Sequence, residues 1–184
     1  MKKGILERYP RAEDGRLIID ITAGRVEDLY NHFDRDAPYI RKELDADLVE
    51  YITESVNEID KEPFVIRFRL NEPPEPGLIS RLQSSIQNYY LYLREWEARE
   101  LAAMLRTSTV LLIAGIAILA TSVWFNQHIA ARETVITSVF AEGLTIAAWI
   151  AMWESLATFI VNWAPHRRRI RLYERIAATP VLFN

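Results

Sequence analysis

The 184-residue sequence contains no cysteine, so disulfides, thiolate nucleophiles and thiolate metal sites are excluded. It also lacks a glycine-rich phosphate loop, a nucleophile elbow and a His-Glu-x-x-His pattern. The three histidines, His32, His128 and His166, have no partner four residues away that would indicate a metal site. We therefore expect no catalytic residue, no metal and no cofactor, and an enzyme is the function class with the least support.

Positive charge is scarce in the first half of the chain. Residues 1–93 hold 13 Lys and Arg against 18 Asp and Glu, a net charge of −5, whereas residues 94–184 hold 9 against 7, a net charge of +2. Because nucleic-acid binding usually needs a basic stripe, nucleic acid is not an expected partner. The first residues are basic but lack the apolar run and cleavage site of a secretory signal, so we expect this segment to be retained.

Charge is absent from residues 107–125, a run of 19 residues rich in Leu, Ile, Ala and Val. At about 1.5 Å of rise per residue, this run nearly crosses a hydrocarbon layer of ~30 Å. We predict a transmembrane helix rather than a buried core helix, because core helices rarely stay apolar on every face. Residues 126–134 would form an external loop, and residues 135–164 a second, antiparallel span. Small residues would allow close helix contact: Ala114, Gly115, Ala117, Ala120, Ala147, Ala148 and Ala151.

The arginines flanking the two spans predict the orientation of this hairpin. Three precede the first span, Arg132 alone lies in the loop, and five follow the second span. Because positively charged flanks resist translocation, both termini are expected in the cytoplasm. Pro165 is predicted to end the second helix. Among anionic headgroups we expect Arg167, Arg168, Arg169 and Arg171, as a topology signal rather than a specific lipid site.

Two carboxylates interrupt the second span, where an ionised side chain is costly unless it snorkels, pairs or is neutralised. Glu142 is near enough to the outer interface to reach water or to pair with Arg132. Glu154 is deeper, and it is either an interfacial side chain or an ion, proton or inter-subunit hydrogen-bonding site. The two residues are twelve positions apart, about 18 Å along a helix, so one subunit cannot join them in a single site.

Residues 1–77 are predicted to form a small cytoplasmic β-α-α-β domain. Residues 16–22 read as a strand and residues 26–33 as a short helix. An amphipathic helix would follow with Asp45 as its N-cap. Residues 63–70 alternate in a way that predicts a second strand with one face in water. One face carries Phe64, Ile66, Phe68 and Leu70, and the other carries Arg67 and Arg69.

Residues 78–106 are predicted to form a stalk helix that continues into the first span. Apolar residues at alternating steps of four and three give a coiled-coil-like seam: Leu82, Ile86, Tyr89, Leu93 and Trp96. This seam either packs on the domain's own sheet, the favoured interpretation, or mediates self-association. Residues 165–184 would form a basic tail with a short helix over 167–177 and an extended end at 180–183. That end is expected to return to a sheet edge of its own or a neighbouring subunit.

The tail from Trp163 to Arg175, with Pro180 and Val181 behind it, resembles a group of uncharacterised bacterial two-span membrane proteins. Residues 36–39 and 41–45 share this resemblance. It implies a bacterial inner-membrane location and carries no activity.

The sequence therefore predicts an α+β membrane protein with a cytoplasmic domain and a two-helix transmembrane hairpin. We expect it to be an anchored interaction or scaffold protein. Its expected partners are the lipid bilayer, further copies of the chain and a soluble cytoplasmic protein. The alternative is a subunit of a small oligomeric channel or transporter that uses Glu154, because two helices enclose a pore only when several copies assemble.

Overall fold

The computed structural model describes residue 4 and residues 6–34, 36–72, 74–129 and 135–183. The chain forms two compact units. The first comprises Met1–Trp96 together with Arg169–Asn184, and the second comprises Glu97–Arg168. Both unit boundaries fall inside helices, not at residues 77 and 165 where composition had divided the chain.

A three-stranded parallel sheet forms the centre of the first unit. Its strands are β1 (Leu17–Ala23), β2 (Phe64–Leu70) and β3 (Val181–Phe183), in the order β1-β2-β3. Ile66 of β2 lies opposite Ile19 of β1 and Val181 of β3. The predicted strands are confirmed to within a residue at each end, and the extended tail pairs with the sheet of its own chain.

The segment between β1 and β2 differs from the prediction. The short helix expected over residues 26–33 is wrong, since the chain makes two separate 3-10 turns, Val26–Leu29 and His32–Asp34. Tyr30 between them has an extended backbone and forms an isolated antiparallel bridge with Leu44, which prevents one continuous helix. The domain is therefore β-α-β with 3-10 turns, with the tail strand added at one edge.

Helix α1 (Ala46–Ile59) begins as predicted. The Asp45 side chain accepts hydrogen bonds from the backbone N–H groups of Asp47 and Leu48, at 3.0 and 3.3 Å. These bonds satisfy two of the donors that the first turn of a helix leaves unpaired. The apolar face of α1 buries Ile52, Val56 and Ile59 in the core.

Both faces of the sheet bury apolar side chains. On one face, Ile19 and Ile66 lie in the main core. On the other, Ile18 and Val65 are also buried, so the prediction of a fully wet face is only partly right. The polar part of this face begins at Asp20, where Arg67 donates two hydrogen bonds, of 2.5 and 2.6 Å, to the carboxylate.

Helix α2 (Pro76–Ile129) has 54 residues, about 80 Å at 1.5 Å per residue. In the first unit, its face toward the sheet contributes Leu82, Ile86 and Tyr90 to the main core. The helix extends past Phe125, so residues 126–129 of the predicted loop are helical. The rest of that loop, residues 130–134, lies outside the described residues.

The second apolar helix continues through the proline that was predicted to end it. Helix α3 (Val135–Ala157) leads into a π-helical turn (Thr158–Asn162), and helix α4 (Trp163–Ala177) follows directly. In an α-helix, a proline ring clashes with the carbonyl four residues earlier, here that of Val161. Val161 lies in the π turn, whose hydrogen bonds run from i to i+5, so this carbonyl need not point at Pro165. The helix therefore tolerates the proline.

Two helices of the chain are long and apolar enough to cross a membrane. Only 17% and 11% of their most apolar stretches are buried within the structure. The core helix of a soluble protein would be mostly buried, because its apolar face packs on its own domain.

Candidate functional site

The contact between α2 and α3 in the second unit depends on one glycine. A Cβ atom added to Gly115 would lie 3.0 Å from Cγ of Met152 and 3.3 Å from the carbonyl oxygen of Ala148. The two helices therefore approach as closely as the sequence predicted for small residues. Gly115 and Ala148 are buried at this contact, whereas most of the other small residues are exposed: Ala114, Ala117, Ala120 and Ala147.

Two polar contacts join the same helices. The Ser155 hydroxyl donates to the backbone carbonyl of Ser108 at 2.6 Å, and the hydroxyls of Ser122 and Thr145 are 2.9 Å apart. Sequence reasoning missed these residues, although a signal was present. Ser108, Gly115 and Ser122 recur every seven residues, the repeat that keeps positions on one side of two packed helices.

A carboxylate–imidazole pair also lies in the second unit. Nδ1 of His166 is 2.6 Å from Oε1 of Glu97, whose side chain is 10% exposed. The guanidinium of Arg167 lies over the ring of Trp163, 4.9 Å from its centroid. The sequence had given no sign that any of the three histidines would pair with a carboxylate. The His128 side chain lies outside the described residues. The His32 ring lies tilted against the ring of Phe33, with centroids 4.1 Å apart.

The two carboxylates of the second apolar helix, Glu142 and Glu154, are both exposed on α3. Among the described residues, the Glu154 carboxylate has no ion-pair partner. Its backbone carbonyl accepts a 3.1 Å hydrogen bond from the Thr158 hydroxyl. The predicted pairing of Glu142 with Arg132 lies outside the described residues.

The arginines that follow the apolar stretch divide into two groups. Four of them are exposed on α4: Arg167, Arg168, Arg169 and Arg171. Arg175 instead donates hydrogen bonds to the carbonyls of Asp60 and Glu62, just after α1. It therefore attaches α4 to the rest of the first unit, a role that the sequence had not indicated.

The stalk seam follows a slightly different line on α2 from the one predicted. Leu82 and Ile86 are fully buried in the core, and Tyr89 and Leu93 pack partly against it. The seam then turns to Tyr90, which is fully buried, while Trp96 is 54% exposed. This part of α2 thus packs on its own sheet.

A cleft of about 450 Å³ lies on the first unit, between the loop at Pro38–Ile40 and the first turns of α2. From α2 it is lined by Ser80, Arg81, Ser84 and Ser85. The Ser85 hydroxyl donates to the Tyr39 carbonyl at 2.5 Å and holds the loop against α2.

Apolar and aromatic side chains surround the same loop. Ile40 in the cleft wall is 68% exposed, and Phe33, in the 3-10 turn before the loop, is 87% exposed. The Lys42 ammonium lies over the ring of Tyr39, 4.9 Å from its centroid. The sequence did not predict these exposed side chains, since residues 26–33 read as a short helix and no surface role was assigned to Phe33 or Ile40.

Within the described part of the chain, no group of three or more His, Cys, Asp or Glu side chains is placed to hold a metal ion. Comparison with protein-family models, with curated proteins and with solved structures gave no match to this chain.

Proposed function

We propose that this protein is a membrane-anchored interaction protein. Its two apolar helices would cross a bacterial inner membrane as a hairpin and hold the α+β domain at the cytoplasmic surface. This proposal is supported by the low burial of both helices, by the arginines at their flanks and by the resemblance of the tail to bacterial two-span proteins. The domain would recruit a soluble partner, and the anchored chain would self-assemble.

The recruiting role is supported by the exposure of Ile40, in the cleft wall, and of Phe33, seven residues earlier in the chain. The first unit buries most of its large apolar side chains in one core, yet Phe33 and Ile40 are 87% and 68% exposed, more than any other large apolar side chain described in this unit. Strongly exposed apolar residues with polar neighbours are typical of protein-docking surfaces. The hydroxyls of Ser80 and Ser84 and the Arg81 guanidinium would supply the polar rim.

Membrane insertion can be tested with engineered cysteines, because the chain has none of its own. Glu27→Cys is in the cytoplasmic domain, and Gln127→Cys is near the predicted external turn; both residues are exposed. We expect an impermeant maleimide to label Gln127→Cys in intact cells and Glu27→Cys only after lysis. Labelling of Glu27→Cys in intact cells, or release of the protein by carbonate washing, would contradict the proposal.

The docking surface can be tested by in-cell cross-linking of full-length protein. Phe33→Ser and Ile40→Ser should remove the partner's cross-linked band, because each deletes an apolar contact without touching the core. Tyr51→Ser is the matched control, since Tyr51 is 50% exposed but lies on α1, away from the cleft. A band that both loop variants retain, or that Tyr51→Ser also loses, would refute docking at this cleft.

A subunit of a small ion channel or transporter is the second candidate. It is favoured by the exposed Glu154 carboxylate, for which the described residues supply no ion-pair partner. Purified protein in planar bilayers should then conduct, and Glu154→Gln should change the ion selectivity or the current, since it removes a charge from the pathway. Absence of conductance would exclude this candidate and leave the interaction proposal untouched.

A further inference from the structure

Glu154 lies on an exposed face of α3, away from α2. Gly143, Ala147 and Ile150 precede it at steps of four, three and four residues, so all four positions share one face of the helix. All four are exposed, and a Cβ atom added to Gly143 would meet nothing within 4 Å. We call these four residues the Glu154 face.

The other side of α3 is already occupied. Ala148 and Ser155 are fully buried against α2, and the Ser155 hydroxyl is hydrogen-bonded to Ser108. Glu154 therefore cannot turn toward α2 without breaking this contact. If α3 spans the membrane, as the proposed function requires, Glu154 is nine residues or about 14 Å from Trp163, near the middle of a ~30 Å hydrocarbon layer.

A carboxyl group in that position needs a hydrogen-bonding partner, because lipid tails offer none. The sequence supplies no Lys or Arg between residues 107 and 166 except Arg132, which precedes Glu154 by 22 residues. A carboxyl group that is transferred from water to hydrocarbon is neutralised rather than left charged. Glu154 therefore requires a partner at its own depth in the membrane that both donates and accepts hydrogen bonds.

We propose that the Glu154 face is a dimer interface between two copies of this chain in the membrane. Two copies inserted in the same orientation are related by an axis along the membrane normal, so each residue meets its equivalent at its own depth. Glu154 thus meets Glu154, and two protonated carboxyl groups satisfy one another as donor and acceptor. Gly143 and Ala147 let the two backbones approach, and Ile150 fills the space between them and the carboxyl pair.

The first test uses cysteine cross-linking of purified chain in lipid vesicles, where no other protein is present. Ala147→Cys and Ile150→Cys are on the Glu154 face. Leu156→Cys is the matched control, since Leu156 is also apolar and exposed but follows Glu154 by two residues, on the far side of the helix. We expect disulfide dimers for the first two variants only. Equal cross-linking of Leu156→Cys would overturn the proposal.

The second test measures dimer affinity in the same vesicles by energy transfer between labelled copies. Glu154→Leu should weaken dimerisation by about threefold to twentyfold, the range that interhelical hydrogen bonds span. Glu154→Gln should retain the affinity, because an amide also donates and accepts. Unchanged affinity of Glu154→Leu would overturn the role of the carboxyl pair. A wild-type monomer in vesicles, with a complex only in native membranes, would overturn the choice of a second copy and point to a basic partner helix.

This inference rests on membrane insertion, and the two can fail separately. Carbonate washing decides insertion without reference to dimers. A partner band that Phe33→Ser and Ile40→Ser both retain would refute docking at the cleft, but neither residue belongs to the Glu154 face, so the dimer prediction would stand.

Discussion

Removal of the tail strand should strongly destabilise the first unit. A chain ending at Thr179 lacks β3, which pairs with β2 at positions 66–68, and with it Val181, which is 3% exposed in the core. It also loses the stacked contact between Phe183 and Phe68, whose ring centroids are 5.2 Å apart. The Gln83 side chain loses its 2.8 Å hydrogen bond to the Val181 carbonyl.

The size of the effect follows from these contacts. Burial of a valine side chain contributes about 1.5–3 kcal/mol, and an aromatic pair about 0.5–1.5 kcal/mol more. The main-chain bonds of β3, such as Ile66 N–H to the Pro180 carbonyl at 3.3 Å, contribute about 1 kcal/mol net each. We expect a loss of about 4 kcal/mol, a large part of the ~5–15 kcal/mol that stabilises an ordinary domain.

Pulse proteolysis in urea, on full-length protein in detergent, is the suitable assay. All five tryptophans lie between residues 96 and 163, outside the strands, so tryptophan fluorescence would not report on the sheet. For a urea dependence of about 2 kcal/mol per M, the truncated chain should unfold at a concentration lower by about 2 M.

Two single substitutions in β3 show whether the stability lost on truncation comes from the packing of its side chains or only from the shorter chain. Val181→Ala removes two buried methyl groups and should cost about 1.6 kcal/mol. Leu182→Ala, at a position that is 44% exposed, should change stability by no more than about 0.5 kcal/mol. A truncated chain that unfolds with the wild type, or equal losses for the two substitutions, would refute the assigned role of β3.

Three further predictions concern other contacts. Asp20→Asn should cost about 1 kcal/mol at pH 7 by urea unfolding, and progressively less as the pH falls below 3.8. Hydrogen bonds from Arg67 lower the pKa of Asp20 below its usual 3.8, so its stabilisation is full above that value and disappears as pH falls through the folded pKa. Tyr30→Phe should leave stability unchanged or raise it slightly, and should abolish a phenol titration near pH 12, because burial raises the pKa of Tyr30 to about 12. Gly115→Leu should destabilise the helix hairpin by about 1–3 kcal/mol in thermal melts in detergent, whereas Ala114→Leu, on an exposed face, should not.

The features that the sequence predicted well depend on neighbouring residues. The strands around Ile19 and Ile66 and the start of α1 at Asp45 were found within a residue of their positions. Alternation of apolar residues and an Asp N-cap act over a few positions, so a short window contains the whole signal. The segment around Tyr30 was mispredicted because its bridge to Leu44 is fourteen residues away.

The stalk shows how a distant contact selects between two local patterns. Tyr89 and Tyr90 are both aromatic. From Leu82 and Ile86, a helical apolar stripe can therefore continue three residues on, at Tyr89, or four residues on, at Tyr90, and the sequence of the stalk fits both. The structure buries Tyr90, whose ring lies beside that of Tyr173, with centroids 6.2 Å apart. Tyr173 belongs to α4, and no pattern within the sequence of the stalk reveals its position.

The candidate sites were partly predictable for the same reason. The uncharged run and the two carboxylates of the apolar second span can be read directly from the sequence. The deep position of Glu154 in that span could therefore also be recognised as one that requires an explanation. The contact face of α2 required a choice among several small residues, and only the seven-residue repeat of Ser108, Gly115 and Ser122 singles it out. The exposed Phe33 could not be anticipated, since exposure depends on the whole fold around a loop.

The order of the chain gives the fold a further property. The sheet needs Val181, yet its partner Ile66 is made 115 residues earlier, with the entire apolar hairpin between them. Contacts of such long sequence separation form late, because the closure of a long loop must be offset before the contact stabilises anything. During synthesis the edge of β2 therefore stays open until both apolar helices have been made. If those helices insert in the membrane as they are made, the first unit completes its sheet only after its proposed anchor is in place.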